Sequence, residues 1–354
     1  MYPIIRLTQE DPYERGLEYG RQAREKIEIC VEYYKKQFLK KGMLWEVLKK
    51  YTNRFSEIIT ETCPEQIEEI RGISVGSQIP LEEILIINAR YEISKFPKEL
   101  ECTTGAVWGE AVKDGHMYGF KNWDFNQCAR PHIVILDIQL KNGPHMIGFS
   151  EAGQIMRDGF SSNGIAILAN NLQSVNDHAG YGLPVTCLRR KVLTCATFKE
   201  AEQFILASER TVSNNILLID GIHNKAVDYE WQPDGTVDII GPEQDMITHA
   251  NHFIVHPERD ALAGRPKNRD RRLRELLMEH YGKIDLDIIK ECLKDHKYYT
   301  LSVCGHPDPQ GDAYSKDRIC SFNSCLELPS RSSSVSKFSL LSLNARSRRS
   351  ACFS

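Results

Sequence analysis

Cys102 stands where about a hundred residues of helical text end in a polar stretch, residues 95–101, and strand-like text begins with Cys102-Thr103-Thr104. A cysteine at such a point can supply both halves of a nucleophilic reaction if the chain is cut in front of it. Its thiolate attacks a carbonyl carbon, and the new α-amine, which titrates near about 7.7–8.0, takes and returns the proton. A cut between Glu101 and Cys102 falls in polar connecting chain, which a break can open without unravelling a core. The alternative is an inert cysteine at a strand edge.

The other cysteines give no such context. Eleven are scattered along 354 residues, with no CxxC pair and no Cys/His cluster at zinc-ligand spacing. They read as reduced thiols that pack as small hydrophobes, and neither a metal nor an organic cofactor is implied. A formal charge of -3 and a pI near 6.4 provide no broad attraction to nucleic acid or anionic membrane. No apolar run approaches the roughly 20 residues of a membrane-spanning helix, and the first six residues do not form a secretory leader. The expectation is a cytoplasmic protein with a small-molecule substrate, and self-association as a homo-oligomer is left open.

Positioning Cys102 falls to the elements on either side. Apolar residues recur at three- and four-residue spacing over 13–41, 56–73 and 80–93, so residues 1–101 are expected to be an all-helical segment, with Pro64 and Pro80 at helix starts. Strand patterns follow over 103–125, 133–140, 145–150, 154–160 and 164–169. Helical stretches at 184–193 and 198–208 precede strands at 215–220, 226–231, 237–240 and 246–249, and two more helices cover 268–281 and 286–293. Runs of strands separated by runs of helices indicate an α+β layered core. It is expected over 102–325, and the Ser- and Arg-rich text of 326–354 reads as a disordered or aberrant tail.

Several motifs resemble, in order, the isopenicillin-N acyltransferase family of Ntn (N-terminal nucleophile) hydrolases. Cys102-Thr103-Thr104 is similar to the start of that family's catalytic chain, and Asn122-Trp123-Asp124-Phe125 to its next strand. Asn88-Ala89-Arg90-Tyr91-Glu92-Ile93 resembles the helix before the cut, His249-Ala250-Asn251-His252 its His-Thr-Asn-His, and Leu301-Ser302-Val303-Cys304 its Phe-Ser-Ile-Cys. Arg269 and Arg272 resemble its spaced arginines. The resemblance implies a four-layer αββα sandwich preceded by the helical segment. It also implies an autoprocessed amidohydrolase or acyltransferase acting on an amide or acyl-CoA-like substrate, with the severed helical segment as a partner.

Carried over residue by residue, Cys102 is the nucleophile, Asp124 holds its amine, and Asn251 donates to the oxyanion. Thr104, Arg269 and Arg318 are the substrate-binding candidates. Residue spacing raises one conflict. A two-residue Asp114-Gly115 turn would set Cys102 opposite Gln127 and Asp124 opposite Gly105, and alternation then places Asp124 on the face away from the thiol unless a bulge intervenes. After Cys320 the closing strands of the family give way to the Ser/Arg-rich text, so the sheet is expected to lack one or two strands. The rival readings are a bile-salt or penicillin V hydrolase-like amidase, a catalytically inactive scaffold, and a papain-like enzyme. The last is disfavoured because Cys102 opens a strand rather than a helix.

Overall fold

The computed structural model describes residues 2–94, 101–261, 267–299, 302–306, 322–328 and 337–342. Helix α1 (Pro12–Lys40) starts where Asp11 accepts a hydrogen bond from Glu14 N at 2.9 Å and Pro12 takes the first turn. Its buried stripe of Tyr19, Ala23, Ile27, Val31, Tyr34 and Phe38 keeps the expected helical spacing. After the short α2 (Trp45–Leu48), the helical pattern over 56–73 forms α3 (Thr52–Thr62) and α4 (Pro64–Ser77), the second beginning at Pro64 as expected. The pair α5 (Leu81–Asn88) and α6 (Arg90–Ser94) completes this part. Helices α1 and α4 touch backbone to backbone: a Cβ on Gly16 would lie 1.9 Å from Glu69 O, and one on Gly72 2.0 Å from Tyr13 O.

Two sheets make the centre. The first has eight strands in the order β1–β4–β5–β6–β7–β8–β9–β10, formed by β1 (Ile4–Leu7), β4 (Ile133–Ile138), β5 (Met146–Glu151), β6 (Asp158–Ser161), β7 (Ile165–Asn171), β8 (Asn214–Asp220), β9 (Lys225–Trp231) and β10 (Val237–Ile240). The second has the order β11–β2–β3–β12–β13, formed by β2 (Glu101–Val107), β3 (Met117–Asp124), β11 (Met246–His249), β12 (Phe322–Leu328) and β13 (Lys337–Ser342). Between them lie Ala106, Met117, Phe160, Leu168, Leu217 and Ile247. Helices α7 (Val185–Val192) and α8 (Phe198–Ala207) share one core with the N-terminal helices on the outside of the eight-stranded sheet. Helices α9 (Arg269–Met278) and α10 (Leu286–Leu293) bury Leu273, Leu277, Ile289 and Leu293 with Val107 and Phe120 on the outside of the other. The stacking is therefore αββα, as the resemblance implied. Among the described residues no helix is long and apolar enough to cross a membrane.

Three expectations need correction. The N-terminal segment is not purely helical: β1 lies parallel to β4, pairing Ile4 with Ile135 and Leu7 with Ile138. At the other end, β12 pairs with β3 from Phe322↔Trp123 to Leu328↔Met117, and β13 pairs with β12. Part of the expected tail is thus strand, and the sheet does not lack the strands whose loss was expected. Lys337-Phe338-Ser339-Leu340-Leu341-Ser342 has enough apolar and strand-compatible residues to continue a ladder. The third is the β2–β3 register: Cys102 pairs with Trp123 and Glu101 with Asp124, not Cys102 with Gln127 and Asp124 with Gly105. The two-residue turn does not form because the connection is tied elsewhere. Trp108 N and Glu110 N donate to Asp245 O and Oδ2 at 3.1 and 2.9 Å, and Lys113 N donates to Ile284 O at 3.1 Å.

Buried charge joins the residues before the expected cut to those after it. Glu151 on β5 receives Arg90 Nη2 at 2.6 Å, Arg157 Nη1 at 2.5 Å and Tyr34 OH at 2.5 Å, and Arg157 Nη2 donates to Tyr91 OH at 2.7 Å. Burial alone would raise the Glu151 carboxyl, but Arg90, with His132 and Arg157, holds it well below the usual carboxylate range. Glu151→Ala leaves two guanidinium groups buried without their counterion. It should destabilise the chain by about 3–5 kcal/mol, measured by urea unfolding, whereas breaking an exposed pair such as Arg54–Glu57 should leave the unfolding midpoint nearly where it was.

Candidate active site

Strand alternation gives the space between the sheets two characters. Along β7 the inward residues run Ala166, Leu168, Asn170; along β8, Ile219, Leu217, Asn215; along β2, Ala106, Thr104, Cys102. At one end the filling is apolar. At the other it is polar, and Cys102 belongs to that end.

Lys121 and Asp158, each 1% exposed, pair there at 2.6 Å. Lys121 Nζ also donates to Ala169 O, and Asp158 Oδ1 accepts from Ala169 N at 3.1 Å. Burial would raise the Asp158 carboxyl, but Lys121, Arg189 and Arg157 hold it below its ordinary value. Asn170 Nδ2 bridges Thr104 Oγ1 at 2.8 Å and Asn215 Oδ1 at 2.9 Å, while Asn215 Nδ2 donates to Asp228. Burial pushes Asp228 up to about 6.

Cys102 belongs to a buried cluster that also holds Trp123, Phe125, Phe149, Tyr91 and Val185. Burial raises the thiol's pKa; Lys121 and Arg157 oppose the rise, and Asp124 and Asp158 add to it. The guanidinium carbon of Arg157 lies 4.7 Å from the Trp123 ring centroid. The nitrogen of Cys102 donates to Asn251 Oδ1, and Asn251 Nδ2 donates to Asn171 O at 2.8 Å. Asn251, expected as an oxyanion donor, thus presents its carbonyl oxygen to the nitrogen that a cut would turn into an amine.

Asp124 is on the other face. The β2–β3 pairing runs without a break from Glu101↔Asp124 to Val107↔Tyr118, so no bulge brings Asp124 to the thiol's side. Its carboxylate instead meets Arg269 Nη2, and a Cβ on Gly305 would be 2.9 Å from its Cγ. Arg269 also donates to Ser302 O at 2.9 Å and Val303 O at 3.3 Å. Expected at the substrate, Arg269 is a buried clamp between α9, Asp124 and residues 302–303. Thr104, also expected at the substrate, is buried against Asn170. Arg318 lies outside the described residues. Asn122 Nδ2 donates to Leu293 O and Val303 O, both at 2.8 Å, fixing the same strip of chain. Lys121 and Asp158 were not expected at all: a lysine in a strand reads as a solvated residue, and only the alternation of β3 through Trp123 points it inward.

Comparison with known proteins gives the family. The family described as acyl-coenzyme A:6-aminopenicillanic acid acyl-transferase matches residues 111–315, more than half of the chain. The chain belongs to the acyl-coenzyme A:6-aminopenicillanic acid acyltransferase family. It is 26% identical over 305 residues to the 40 kDa form of acyl-coenzyme A:6-aminopenicillanic-acid-acyltransferase from Emericella nidulans, covering 84% of this chain and 83% of that one. Among solved structures, a mutant conjugated bile acid hydrolase from Clostridium perfringens is similar at a TM-score of 0.44 and 16% identity, covering 64% of this chain and 86% of that one. Penicillin V acylase from Agrobacterium tumefaciens gives 0.41 and 13%, covering 64% and 80%.

In this acyltransferase-family chain, His249 anchors the turn that carries Asn251. Its Nδ1 lies 2.7 Å from Ala250 O and its Nε2 2.9 Å from Glu230 Oε1. Both partners are acceptors, which only a doubly protonated imidazole satisfies. Burial would lower its pKa, but Asp228 and Glu230 override that and push it up to about 9. A ring that holds its proton at neutral pH is a structural cation rather than a base. Because the folded pKa exceeds the ordinary 6.5, the stabilisation is fully present below about pH 6.5 and is lost as pH rises through about 9. The raised acids Asp228 and Glu92, near about 6 and about 7, have lost their own contributions by then. Guanidinium unfolding of the Cys102→Ala chain should therefore show stability falling by about 2–3 kcal/mol from pH 7 to 9. His249→Gln should flatten that slope, and equal slopes in the two chains would refute the assignment.

Proposed function

We propose that the chain cuts itself between Glu101 and Cys102 and then works as an N-terminal-cysteine amidohydrolase or acyltransferase, through a thioester acyl-enzyme, on an amide or acyl-CoA-like substrate. The observation that carries the reading is the contact between Cys102 N and Asn251 Oδ1 at the polar end of the sandwich, in a chain of this family. In the precursor, Cys102 Sγ attacks the Glu101 carbonyl carbon as its thiol proton departs. The C–N bond breaks, the nitrogen takes a proton to become the α-amine, and water opens the thioester to a carboxylate and a free thiol. In the cut enzyme the amine accepts the thiol proton and passes it to the leaving group, and water or an acceptor amine then attacks the thioester.

Asn251 is the residue we assign to fixing that amine. Asp124, set in place by Arg269 on the outer face, acts at the same end of the strand. The burial of Cys102 in the uncut chain, 3% exposed, fits a precursor that does not yet admit substrate to the thiol. The shared core and the Glu151 cluster support a cut enzyme in which the 1–101 segment stays bound as a partner. A cytoplasmic site of action belongs to this reading. The names of the relatives do not extend to a penicillin substrate here.

Intact-mass analysis tests the reading. Wild type should resolve under denaturing conditions into fragments 1–101 and 102–354 that co-elute in native buffer, and Cys102→Ala should stay whole. Asn251→Leu should slow the cut, because the Cys102 nitrogen loses the Asn251 carbonyl that accepts its hydrogen bond. Wild type that remains a single chain after prolonged incubation would favour an inactive scaffold.

A further inference from the structure

Outside this site the fold gathers a second set of chemically active side chains. His296, Cys304 and His306 place their ligand atoms within 4.8 Å of one another. Nothing in the spacing, one histidine eight residues before the cysteine and the other two after it, marks a metal motif. Folding brings them together. Cys304 N donates to Asp295 O at 3.1 Å, and Asp295 is itself held by Arg272 Nη2 at 2.9 Å, so the cysteine is fixed beside the residue preceding His296. Tyr299 stacks on the His306 ring with centroids 5.5 Å apart, and the two imidazole centroids are 4.7 Å apart.

We propose that His296, Cys304 and His306 form a binding site for a thiolate-preferring transition-metal ion of the Zn2+ class. A tetrahedral ion with bonds of about 2.0–2.3 Å holds its donors roughly 3.3–3.8 Å apart. Cys304 Sγ and His306 Nε2 are already 3.5 Å apart. The third donor belongs to the exposed His296, whose ring needs only a side-chain adjustment to close the triangle, and its exposure gives the ion an entry path. Two imidazoles and one thiol suit Zn2+, Co2+ or Cu+ and are poor ligands for Mg2+ or Ca2+. On binding, the Cys304 S–H bond breaks, the proton goes to solvent, and sulfur donates its electron pair to the ion, with no change of oxidation state. Three protein ligands leave one position for water.

The second buried cluster, Cys30, His132 and Glu151, does not qualify, since Arg90 and Arg157 already occupy the carboxylate. The proposed site, by contrast, adjoins chain that reaches the nucleophile's end of the sandwich. Ser302 and Val303 accept from Arg269, Arg269 holds Asp124, and Gly305 lies against that carboxylate. An ion at Cys304 and His306 would pin residues 302–306 and with them the Arg269–Asp124 clamp.

The test uses the full-length Cys102→Ala chain, reduced and metal-free, so that the proposed nucleophile cannot compete for the ion. Co2+ titration should give a sulfur-to-cobalt charge-transfer band saturating at one equivalent, and Zn2+ in competition with a chromogenic chelator should bind with the same stoichiometry. Cys304→Ser should abolish the band. His296→Asn, at an exposed position where folding is not at stake, should weaken Zn2+ binding by about 10–100-fold. Absence of the band, or a band and Zn2+ affinity unchanged in both variants, overturns the proposal.

Discussion

An ammonium group shut between two β-sheets has to be met by a carboxylate, and the Lys121–Asp158 pair is the constraint on which the polar end of the sandwich, where Cys102 stands, depends. Two charges removed from water cost several kcal/mol each, and their attraction offsets this only when the geometry is good and the remaining hydrogen-bonding positions are filled. Here Ala169 closes the pair, giving its carbonyl to Lys121 and its N–H to Asp158. The pair thus locks β3 of one sheet to β6 and β7 of the other and fixes the separation and register in which the Cys102 thiol is held. Asn170, Asn215 and Asp228 continue the layer sideways toward His249, so the turn bearing Asn251 is positioned by the same polar filling.

The residues before Cys102 are tied in by different physics. A common apolar core, a parallel edge strand and the Glu151 cluster all cross the expected cut. Breaking one peptide bond removes none of these contacts, and the backbone contact of α1 with α4 adds rigidity within the segment. A cut in front of Cys102 would therefore leave the contacts that bind the two segments in place.

Much of this was legible in the sequence, and the parts that were not share a cause. Helical periodicity located α1, Pro64 located the start of α4, and the boundary at Cys102 was plain, because each depends on residues close together in the chain. The β2–β3 register was missed because a turn with good local chemistry lost to backbone bonds with Asp245 and Ile284, which lie far along the chain. Strands β1 and β13 escaped because short edge strands carry few alternating residues. Lys121 escaped because its partner, Asp158, is 37 residues away. Arg269 was read as reaching substrate, and nothing in its helix discloses that Asp124 and two carbonyls claim it.

The corrected register leaves Asp124 on the face away from the Cys102 thiol, as alternation already required. With Cys102 opposite Trp123, strict alternation sends the thiol inward to the polar layer and sends Asp124 outward to Arg269. The backbone nitrogen belongs to neither face. It lies in the plane of the sheet at the end of β2, where Asn251 from the turn after β11 can reach it. The Cys102 thiol, its backbone nitrogen and the Asp124 carboxylate are thereby held by three separate supports: the inter-sheet layer, the β11 turn, and the α9 clamp. Asp158, paired with Lys121, stands in the layer on the thiol's side, and both it and Asp124 add to the burial that pushes the thiol's pKa up. Lys121, the largest opposing charge, and Arg157 pull the other way, so whatever favours the thiolate here comes from these cations acting against burial and two carboxylates, and not from the place of Asp124 on the far face.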